Sequence, residues 1–404
     1  MHILMIAPEP FFEPRGTPFS EYHRIRALLD LGHTVDLVTY PFGRDVAMSG
    51  LRIVRCLRPP LVTRVRIGPS FAKVPLDLAL SITALRQALR HRYDLVHSHE
   101  EGSAIGVGLA ALLGVPHLYD MHSSLPQQLS NFAFSRSRLL GQLFTALERF
   151  VIRRSRVTIV ICSHLQEIVR AIDPGARTVL IENAPGAGEV SGRGAGVGVR
   201  ERLGLPIATP VVLYTGTFEP YQGLDLLLAA AKLVQDVTAD ARYVLVGGDA
   251  EQTAHVRTQA EKLGLSDKVL VVGERPADEI PGYLDAADVL VSPRSTGTNT
   301  PLKIYQYLRA GKPIVATRLL THTQVLTDEI AILTEPTPQA FAEGIVRALG
   351  DDALARRIGE QARMLAETRY SYDAYLDRTR EACAALTADL PAQSLKSKAN
   401  SQPV

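Results

Sequence analysis

Residues 288–317 read DVLVSPRSTGTNTPLKIYQYLRAGKPIVAT, and this stretch indicates the fold class. The strand pattern DVLVSP leads into a loop of small polar residues, a helical pattern follows at 302–310, and the strand pattern PIVAT ends the stretch. Short apolar strands that alternate with helices are typical of parallel sheets with crossover helices. The stretch therefore predicts one strand-helix-strand unit of a parallel α/β domain.

The same alternation extends along the chain on both sides of this unit. Strand patterns occur at 2–8, 34–40, 51–56, 94–99, 117–122 and 157–162, and again at 211–216, 241–248, 268–273, 288–293 and 313–317. Helices are predicted near 20–31, 223–236, 251–263, 277–286 and 302–310, and the pattern from Pro338 to about Leu386 is mostly helical. Between the two series, residues 184–200 are rich in glycine and lack periodicity, which predicts a linker.

Length and composition limit the possible classes of protein. At 404 residues, with 46% hydrophobic and 21% charged residues, the chain is longer than one core usually grows and has enough apolar material for two. Its three cysteines, Cys56, Cys162 and Cys383, lie far apart, which favours a reducing compartment, the cytoplasm. The first residues form no basic leader and no apolar stretch approaches the roughly 20 residues that span a bilayer, so any membrane contact is expected to be peripheral.

The loops that follow the strands are the expected ligand sites, because ligands of parallel α/β domains bind at the carboxyl ends of the strands. Gly16 and Thr17 precede the first helix, where backbone amides can receive an anion, although an ordinary loop would look the same. Gly216 and Thr217 follow a strand in the second series and offer similar donors. The first loop lacks the GxGxxG spacing of a dinucleotide site, which argues against a dehydrogenase.

The helix predicted at 302–310 carries the more specific signal. Thr300 is a good N-cap and Pro301 is favoured at the first helical position, so the helix is expected to begin between them. Lys303 would then lie in the first turn and oppose the helix dipole, at a cost of about 0.3 to 1 kcal/mol unless an anion is near. We predict a diphosphate site here; the alternative is a solvated lysine at a tolerable cost.

These segments together resemble the retaining glycosyltransferases of family 4. The resemblance covers nearly the whole chain and is carried by LLDLGHTVDLVT (28–39), DLVHSH (94–99), VPHLYDMHSSLP (115–126), GTFEPYQGLDLLL (216–228), 291–317 and RYSYDAYLDRTREACAAL (369–386). It implies the GT-B architecture, an α/β fold of two Rossmann-like parallel-sheet domains that face a central cleft. Residues 1–190 would form the acceptor-side domain, 205–369 the nucleotide-sugar domain, 370–388 a helix that crosses back to the first domain, and 389–404 a disordered tail.

The resemblance also implies an activity and a set of site residues. Members transfer a sugar from a nucleoside diphosphate sugar, with retention at the anomeric carbon and without a metal or other cofactor. The diphosphate would meet the helix start at Thr300, Leu302 and Lys303. His122 would face the reacting sugar with Asp120 orienting it, although a lone histidine at a strand end can also be structural. Further donor contacts would come from Gly16, Thr17, Gly216, Thr217, Gln222, Arg275, Arg294, Thr298, Asn299 and, at the ribose, Gln306.

The chain departs from the family pattern at four charged positions of the predicted donor site. Relatives usually carry an arginine and a lysine in the loop that here spans 217–222, and this loop has neither. We expect Lys303 to compensate the leaving diphosphate instead, with Arg294 and Arg15 as further candidates. The family's two glutamates appear here as Thr298 and Gln306. Since no carboxylate is an obvious nucleophile, a same-face substitution is expected, in which the departing phosphate oxygen takes the acceptor's proton.

The acceptor is less defined by the sequence. The stretches 64–82 and 131–156 mix aromatic and leucine residues with arginines, as amphipathic helices on anionic lipid do, but a helix with one face on the core and a basic outer face would look similar. The first 189 residues hold 21 Lys or Arg and 16 Asp or Glu, whereas the remainder holds 23 and 26. A saccharide or lipid-linked acceptor at the inner face of the cell membrane is therefore expected.

Two rival functions remain open at the level of sequence. A nucleotide-sugar epimerase can share this architecture, and a catalytically silent subunit could bind the donor without turning it over. A nucleic-acid partner is not expected, because outside the amphipathic stretches no long basic stripe with interleaved aromatics occurs. The sequence determines neither the base and sugar of the donor nor the oligomeric state.

Overall fold

The computed structural model describes residues 1–12, 16–60, 62, 73–127, 138–182 and 195–388. The chain divides into two compact units: unit 1 comprises Met1–Glu182 with Tyr375–Val404, and unit 2 comprises Asn183–Ala374. Each unit contains one parallel sheet with helices between its strands. The predicted α/β fold class is thus confirmed.

Unit 1 is built on a seven-stranded parallel sheet. Its strands are β1 His2–Ala7, β2 Thr34–Thr39, β3 Leu51–Arg55, β4 Leu95–His99, β5 His117–Met121, β6 Val157–Val160 and β7 Thr178–Leu180. Its helices are α1 Gly16–Asp30, α2 Lys73–Arg90, α3 Ser103–Leu113, α4 Arg138–Arg154 and α5 Ser163–Ile172. The strand order is β3-β2-β1-β4-β5-β6-β7, so the direction of winding reverses between β1 and β4.

Unit 2 repeats this plan with six strands. They are β8 Val211–Thr215, β9 Arg242–Val246, β10 Val269–Gly273, β11 Val289–Ser292, β12 Ile314–Thr317 and β13 Ile332–Thr334, in the order β10-β9-β8-β11-β12-β13. The helices are α6 Ala195–Arg202, α7 Leu224–Val234, α8 Ala250–Lys262, α9 Ile280–Ala286, α10 Leu302–Ala310, α11 Leu320–Thr323, α12 Pro338–Gly350 and α13 Asp352–Thr368. Here the winding reverses between β8 and β11, and such switch points are where ligands of doubly wound sheets bind.

The strand patterns of the sequence correspond to the buried strands of both sheets. Ile3, Leu4, Met5 and Ile6 of β1 are fully buried, as expected for a parallel strand covered by helices on both faces. All of the predicted strands are present. The short strands β7 and β13 were not predicted, because three residues give too little alternation to distinguish a strand from a loop.

Two predicted boundaries were wrong. Helix α1 begins at Gly16 and not near Ser20. The predicted linker ends earlier than Arg200, because α6 occupies 195–202; residues 184–194 lie outside the described residues. Gly196 packs so closely on α9 that a Cβ would stand 2.6 Å from the Ala286 nitrogen. Tertiary packing therefore holds a glycine-rich segment helical that its local propensity would leave as coil.

The last helix, α14 Tyr372–Thr387, belongs from Tyr375 onward to unit 1. Arg378 pairs with Glu182 at 2.8 Å, and the Thr379 hydroxyl accepts a hydrogen bond from Arg24 at 3.2 Å. The predicted tail 389–404 lies outside the described residues. Among the helices that the structure describes, none combines the length and the hydropathy needed to cross a bilayer.

Candidate functional site

The carboxyl edge of the unit 2 sheet contains a buried lysine at the switch point. Lys303 is 7% exposed, and its Nζ lies 3.7 Å from the centroid of the Tyr214 ring and donates to Gln222 Oε1 at 3.3 Å. Gly216, at the tip of β8, leaves space beside the ammonium, since a Cβ there would stand 3.1 Å from Nζ. Burial, and after it the charge of Arg294, lowers the pKa of Lys303 well below its usual value.

A second cation, Arg294, lies in the loop after β11. Its Nη1 donates to the Asn299 carbonyl at 2.8 Å and to the Thr321 hydroxyl at 2.6 Å, and its guanidinium lies 5.1 Å from the centroid of the Tyr221 ring. Burial lowers its pKa. Within the described ranges, neither Arg294 nor Lys303 lies within ion-pair distance of a carboxylate, so this edge of the sheet carries uncompensated positive charge.

The start of α10 differs from the prediction by one residue. Pro301 is the N-cap, with extended backbone at φ −66° and ψ 138°, and Leu302 is the first helical residue; no side chain caps the helix. Thr300 is instead drawn inward to 5% exposure, and its Oγ1 has no hydrogen-bond partner among the described residues. The loop before it is held in place because Arg294 and Thr321 both bind the Asn299 carbonyl. An unsatisfied buried hydroxyl beside free helix amides is a position where a ligand oxygen would be stabilised.

The structure brings some of the other predicted donor residues together and leaves others apart. Gln222 joins Lys303 to Thr217, because its Nε2 donates to the Thr217 hydroxyl at 3.4 Å. The Thr298 carbonyl accepts from Gln324 at 2.6 Å, and Leu302 and Gln306 are half-buried on α10. Arg275 is exposed in the loop after β10, two strands away from β8 in the sheet, where it donates to Tyr283 at 3.4 Å. A role of Arg275 at the base of the donor stays a prediction.

In unit 1, the predicted pair His122 and Asp120 is adjacent and buried. His122 is 5% exposed directly after β5, and its Nε2 lies 3.3 Å from Asp120 Oδ1 and 3.2 Å from His99 Nδ1. Burial lowers the pKa of His122 although Asp120 acts in the opposite direction, so the ring is neutral at neutral pH. Gly16 and Thr17 begin α1, with Gly16 in the left-handed region at φ +52°. Arg15 lies outside the described residues.

Several ionisable residues around His122 were not identified from the sequence. His97 and His99 extend inward from β4, and Glu9, Glu21 and Glu100 lie at the same edge of the sheet. Burial, followed by neighbouring carboxylates, raises the pKa of Glu100 to about 8, and its φ of +46° is uncommon outside glycine. The sequence HSH at 97–99 is a usable signal, since alternate residues of a strand face the same side. Glu9, Glu21 and Arg24 gave no signal, because only the fold brings them to this edge.

One group of these side chains could hold a metal ion by distance alone. His97, His99 and Asp120 each offer a ligand atom, and these atoms lie within 4.8 Å of one another. Asp120 Oδ2, however, already accepts from Arg24 Nε at 2.8 Å. A second cation beside this guanidinium would be repelled, so the donor set does not favour a metal.

Comparisons with known proteins identify the family. The model of the family described as glycosyl transferases group 1 matches residues 199–365, and the model of a glycosyl transferase 4-like domain matches residues 22–184. The two matches correspond to the two units and together cover most of the chain. The chain belongs to the group 1 glycosyltransferases.

Individual relatives support the same conclusion. The glycosyltransferase is 26% identical over 363 residues to the D-inositol 3-phosphate glycosyltransferase of Corynebacterium diphtheriae, covering 83% of this chain and 82% of the relative. It is 29% identical over 313 residues to the 2-deoxystreptamine glucosyltransferase of Streptomyces kanamyceticus, with 72% and 78% covered. This evidence favours a sugar-transferring enzyme over the epimerase and over the silent binding subunit.

Solved structures show the fold. Sucrose-phosphate synthase from Thermosynechococcus elongatus matches 96% of the glycosyltransferase and all of its own chain, with a TM-score of 0.78 at 21% identity. Anabaena HepE, solved in complex with UDP-glucose, matches 95% of the enzyme and all of its own chain, with a TM-score of 0.74 at 20% identity. The predicted GT-B fold class is confirmed.

Proposed function

We propose that this glycosyltransferase moves a sugar from a UDP- or GDP-linked donor to a saccharide or glycolipid acceptor, with retention at the anomeric carbon and without a metal. The observation that carries the proposal is the pair Lys303 and Arg294, two cations at the switch point of unit 2 that have no carboxylate partner within the described residues. A doubly charged diphosphate would supply the missing negative charge.

The energetics favour an anion at this position. Removing a charge from water costs several kcal/mol per ion unless a partner compensates it, and here the two cations also repel each other. The α10 amides and the unpaired Thr300 hydroxyl would add hydrogen bonds to the same oxygens. Gly216 would let the backbone approach the ligand closely, since a Cβ would occupy the space beside Lys303. The structural neighbour HepE, which was solved with UDP and with UDP-glucose, supports a nucleotide-sugar donor.

The same residues would assist departure of the leaving group. When the bond between sugar and phosphate breaks, negative charge grows on the phosphate oxygen, and fixed cations stabilise that charge without reorganising. Lys303 would replace the arginine and lysine that relatives usually carry in the loop at 217–222. Gln222 would orient Lys303, because its Oε1 is the hydrogen-bond acceptor of the ammonium.

Retention is proposed to follow from a same-face substitution. A double displacement needs a carboxylate close to the anomeric carbon, and Thr298 and Gln306 stand where relatives carry glutamates. The departing phosphate oxygen would take the acceptor's proton as the new bond forms on the face that it leaves. His122, held beside Asp120, is proposed to contact the reacting sugar.

Removal of the Lys303 charge tests the proposed function. We expect Lys303→Ala to lower nucleotide release from the cognate donor by about 100-fold or more, the range for removal of one charge-stabilising group. The donor is first identified by screening UDP- and GDP-sugars for thermal stabilisation. Release is then measured with and without a membrane extract as the source of acceptor.

The matched control is Lys262→Ala, which removes an exposed lysine from the last turn of α8. It is expected to release nucleotide at the wild-type rate. Equal loss in both variants, or full activity of Lys303→Ala, would contradict the diphosphate site.

A membrane surface is proposed as the place of acceptor binding. Helices α2, α3 and α4 pack side by side on unit 1 and leave large apolar side chains exposed to solvent. These side chains are Val74, Leu78, Ile82, Leu85, Leu89, Leu112, Leu139, Leu143 and Phe150. The same helices expose five arginines, Arg86, Arg90, Arg149, Arg153 and Arg154. Their carboxylates are bound inward, because Asp77 accepts a hydrogen bond from Tyr40 and Glu148 accepts from Ser124 and Leu125. A basic apolar face of this kind complements anionic lipid.

A further inference from the structure

A buried arginine connects α1 to the histidine proposed to meet the sugar. Arg24 is 2% exposed, and its Nε donates to Asp120 Oδ2 at 2.8 Å. The other carboxylate oxygen, Oδ1, lies 3.3 Å from His122 Nε2. One fully buried carboxylate therefore stands between the guanidinium and the imidazole.

The last helix of the chain completes the binding site of this guanidinium. Arg24 Nη1 donates to the Thr379 hydroxyl of α14 at 3.2 Å, and the guanidinium carbon lies 4.9 Å from the centroid of the Tyr375 ring on the same helix. Hydrogen bonds and a cation–π contact thus fix the guanidinium from two directions. Its orientation depends on residues near both ends of the sequence.

The charge of Asp120 depends on this contact. Burial alone would raise the pKa of Asp120, but the Arg24 guanidinium holds the pKa well below its usual value, so the group stays anionic. An anionic carboxylate with one oxygen bound to Arg24 presents its second oxygen to His122. The same nitrogen, His122 Nε2, also makes a 3.2 Å hydrogen bond with His99 Nδ1, so without the Asp120 oxygen in place His99 would set the orientation of the ring. The partner on one ring nitrogen decides the orientation and tautomer that a histidine offers to its ligand.

We infer that Arg24 is a positioning residue for sugar transfer: it fixes Asp120 and, through Asp120, the imidazole of His122. The inference rests on the proposed contact between His122 and the reacting sugar. No sequence pattern indicates this role, because Arg24 lies on a helix and reaches Asp120 only in the folded unit.

The test compares single and double variants in steady-state transfer. Arg24→Met is expected to lower kcat by about 30-fold or more with the donor KM changed by less than about threefold, because the donor's diphosphate is proposed to bind on unit 2. Arg24→Lys keeps a cation beside Asp120 and is expected to restore part of this loss. Combining either variant with Asp120→Asn should lower kcat no further than Asp120→Asn alone, since residues that act through one another are not additive.

Two further variants separate positioning from stability. Arg26→Met removes a half-exposed arginine on the same helix and is expected to leave kcat unchanged. Thr379→Val removes the bond from α14 but leaves Arg24 on Asp120, so it should lower the melting temperature with a smaller effect on kcat than Arg24→Met. Wild-type kcat in folded Arg24→Met, or additive losses with Asp120→Asn, would overturn the inference.

If Arg24→Met does not fold, Arg24→Lys decides the question. Arg24→Lys should still lower kcat by about fivefold in the wild-type background and should not lower it in the Asp120→Asn background. An equal fold loss of kcat in the two backgrounds would refute the positioning role. Failure of the proposed function looks different. Full activity of His122→Ala would show that the histidine does not meet the sugar, whereas an inactive His122→Ala with a fully active Arg24→Met would refute only the inference about Arg24.

Discussion

At the scale of single residues, burial leaves the charge of one lysine side chain without full compensation. Lys303 could have been a solvated lysine that opposes a helix dipole, the alternative that the sequence left open. The structure instead buries its ammonium between the Tyr214 ring and the Gln222 side chain. The cation–π contact and one neutral acceptor compensate a charge only in part. Burial therefore favours the neutral amine of Lys303, and the proposed diphosphate would favour the ammonium.

This state predicts a pH dependence of donor binding. Burial and Arg294 lower the pKa of Lys303 in the free enzyme, and a bound diphosphate should raise it again. Binding should therefore take up a proton, and the affinity for UDP or GDP should fall as the pH rises between the lowered pKa of the free enzyme and the higher pKa of the complex. The free energy of unfolding of the free enzyme should instead rise with pH, because protonating a base whose pKa is lowered in the folded state destabilises the fold.

Titration calorimetry in buffers of different ionisation enthalpy measures this proton uptake, from about pH 7 to about pH 9. Lys303→Met should abolish it and flatten the dependence of affinity on pH. Proton uptake that persists in Lys303→Met would assign the titration to another group.

At the scale of elements, α6 shows how tertiary contacts override local propensity. Its sequence, AGVGVRER, has two glycines in eight residues and predicted a linker. Arg200 anchors the helix with bonds to the carbonyls of Ala286, Pro206 and Thr209 and with a 2.8 Å ion pair to Asp288. One buried guanidinium thus ties the helix to the start of β8 and to the strand beside it.

Replacement of this anchor should destabilise unit 2. Arg200→Met removes the guanidinium from several carbonyls and one carboxylate, and we expect a loss of about 2 to 3 kcal/mol in the free energy of unfolding. Urea denaturation followed by circular dichroism measures the change. Arg202→Met, two residues away on the exposed side of the helix, is the control and should cost less than about 0.5 kcal/mol. Comparable losses in the two variants would contradict the role of Arg200.

At the scale of the whole molecule, a helix in the predicted amphipathic stretches has one apolar face on the core of unit 1 and another exposed to solvent. Val151 and Ile152 of α4 are buried in the core of unit 1, whereas Leu143 and Phe150 are exposed, so the same helix packs inward and presents an apolar face outward. The parts of the sequence prediction that fall on residues 64–72 and 131–137 lie outside the described residues. The exposed face of α2 to α4 has the composition that the proposed membrane contact requires.

Vesicle binding tests this contact. The enzyme is expected to float with phosphatidylglycerol vesicles and to bind phosphatidylcholine vesicles much more weakly, because each interfacial arginine contributes about 1 kcal/mol with anionic lipid. The double variant Leu78→Ser, Ile82→Ser should lower binding by about 10-fold or more, through the lost apolar burial.

Ile207→Ser is the matched control, since it removes an exposed apolar side chain from unit 2 and should bind as the wild type does. Equal binding by all of the proteins, or equal affinity for the two lipids, would contradict a membrane role for this face.

The sequence by itself determined the parallel α/β class, the repeat of that plan, and the loops that follow the strands. The spacing of apolar residues and the positions of turn residues are local properties of the sequence. DVLVSP and PIVAT can therefore be recognised as buried strands without knowledge of what packs on them. Gly216, in the loop after β8, and Lys303, in the first turn of α10, could be selected for the same reason. Which site roles they perform stays a prediction.

Only the tertiary structure decided which charges meet. The link from Arg24 to Asp120 and Thr379 joins residues 96 and 355 positions apart, and no periodicity encodes such a contact. The burial of Lys303 and of the Thr300 hydroxyl was decided in the same way, because desolvation depends on every element that covers a group and not on its neighbours in sequence.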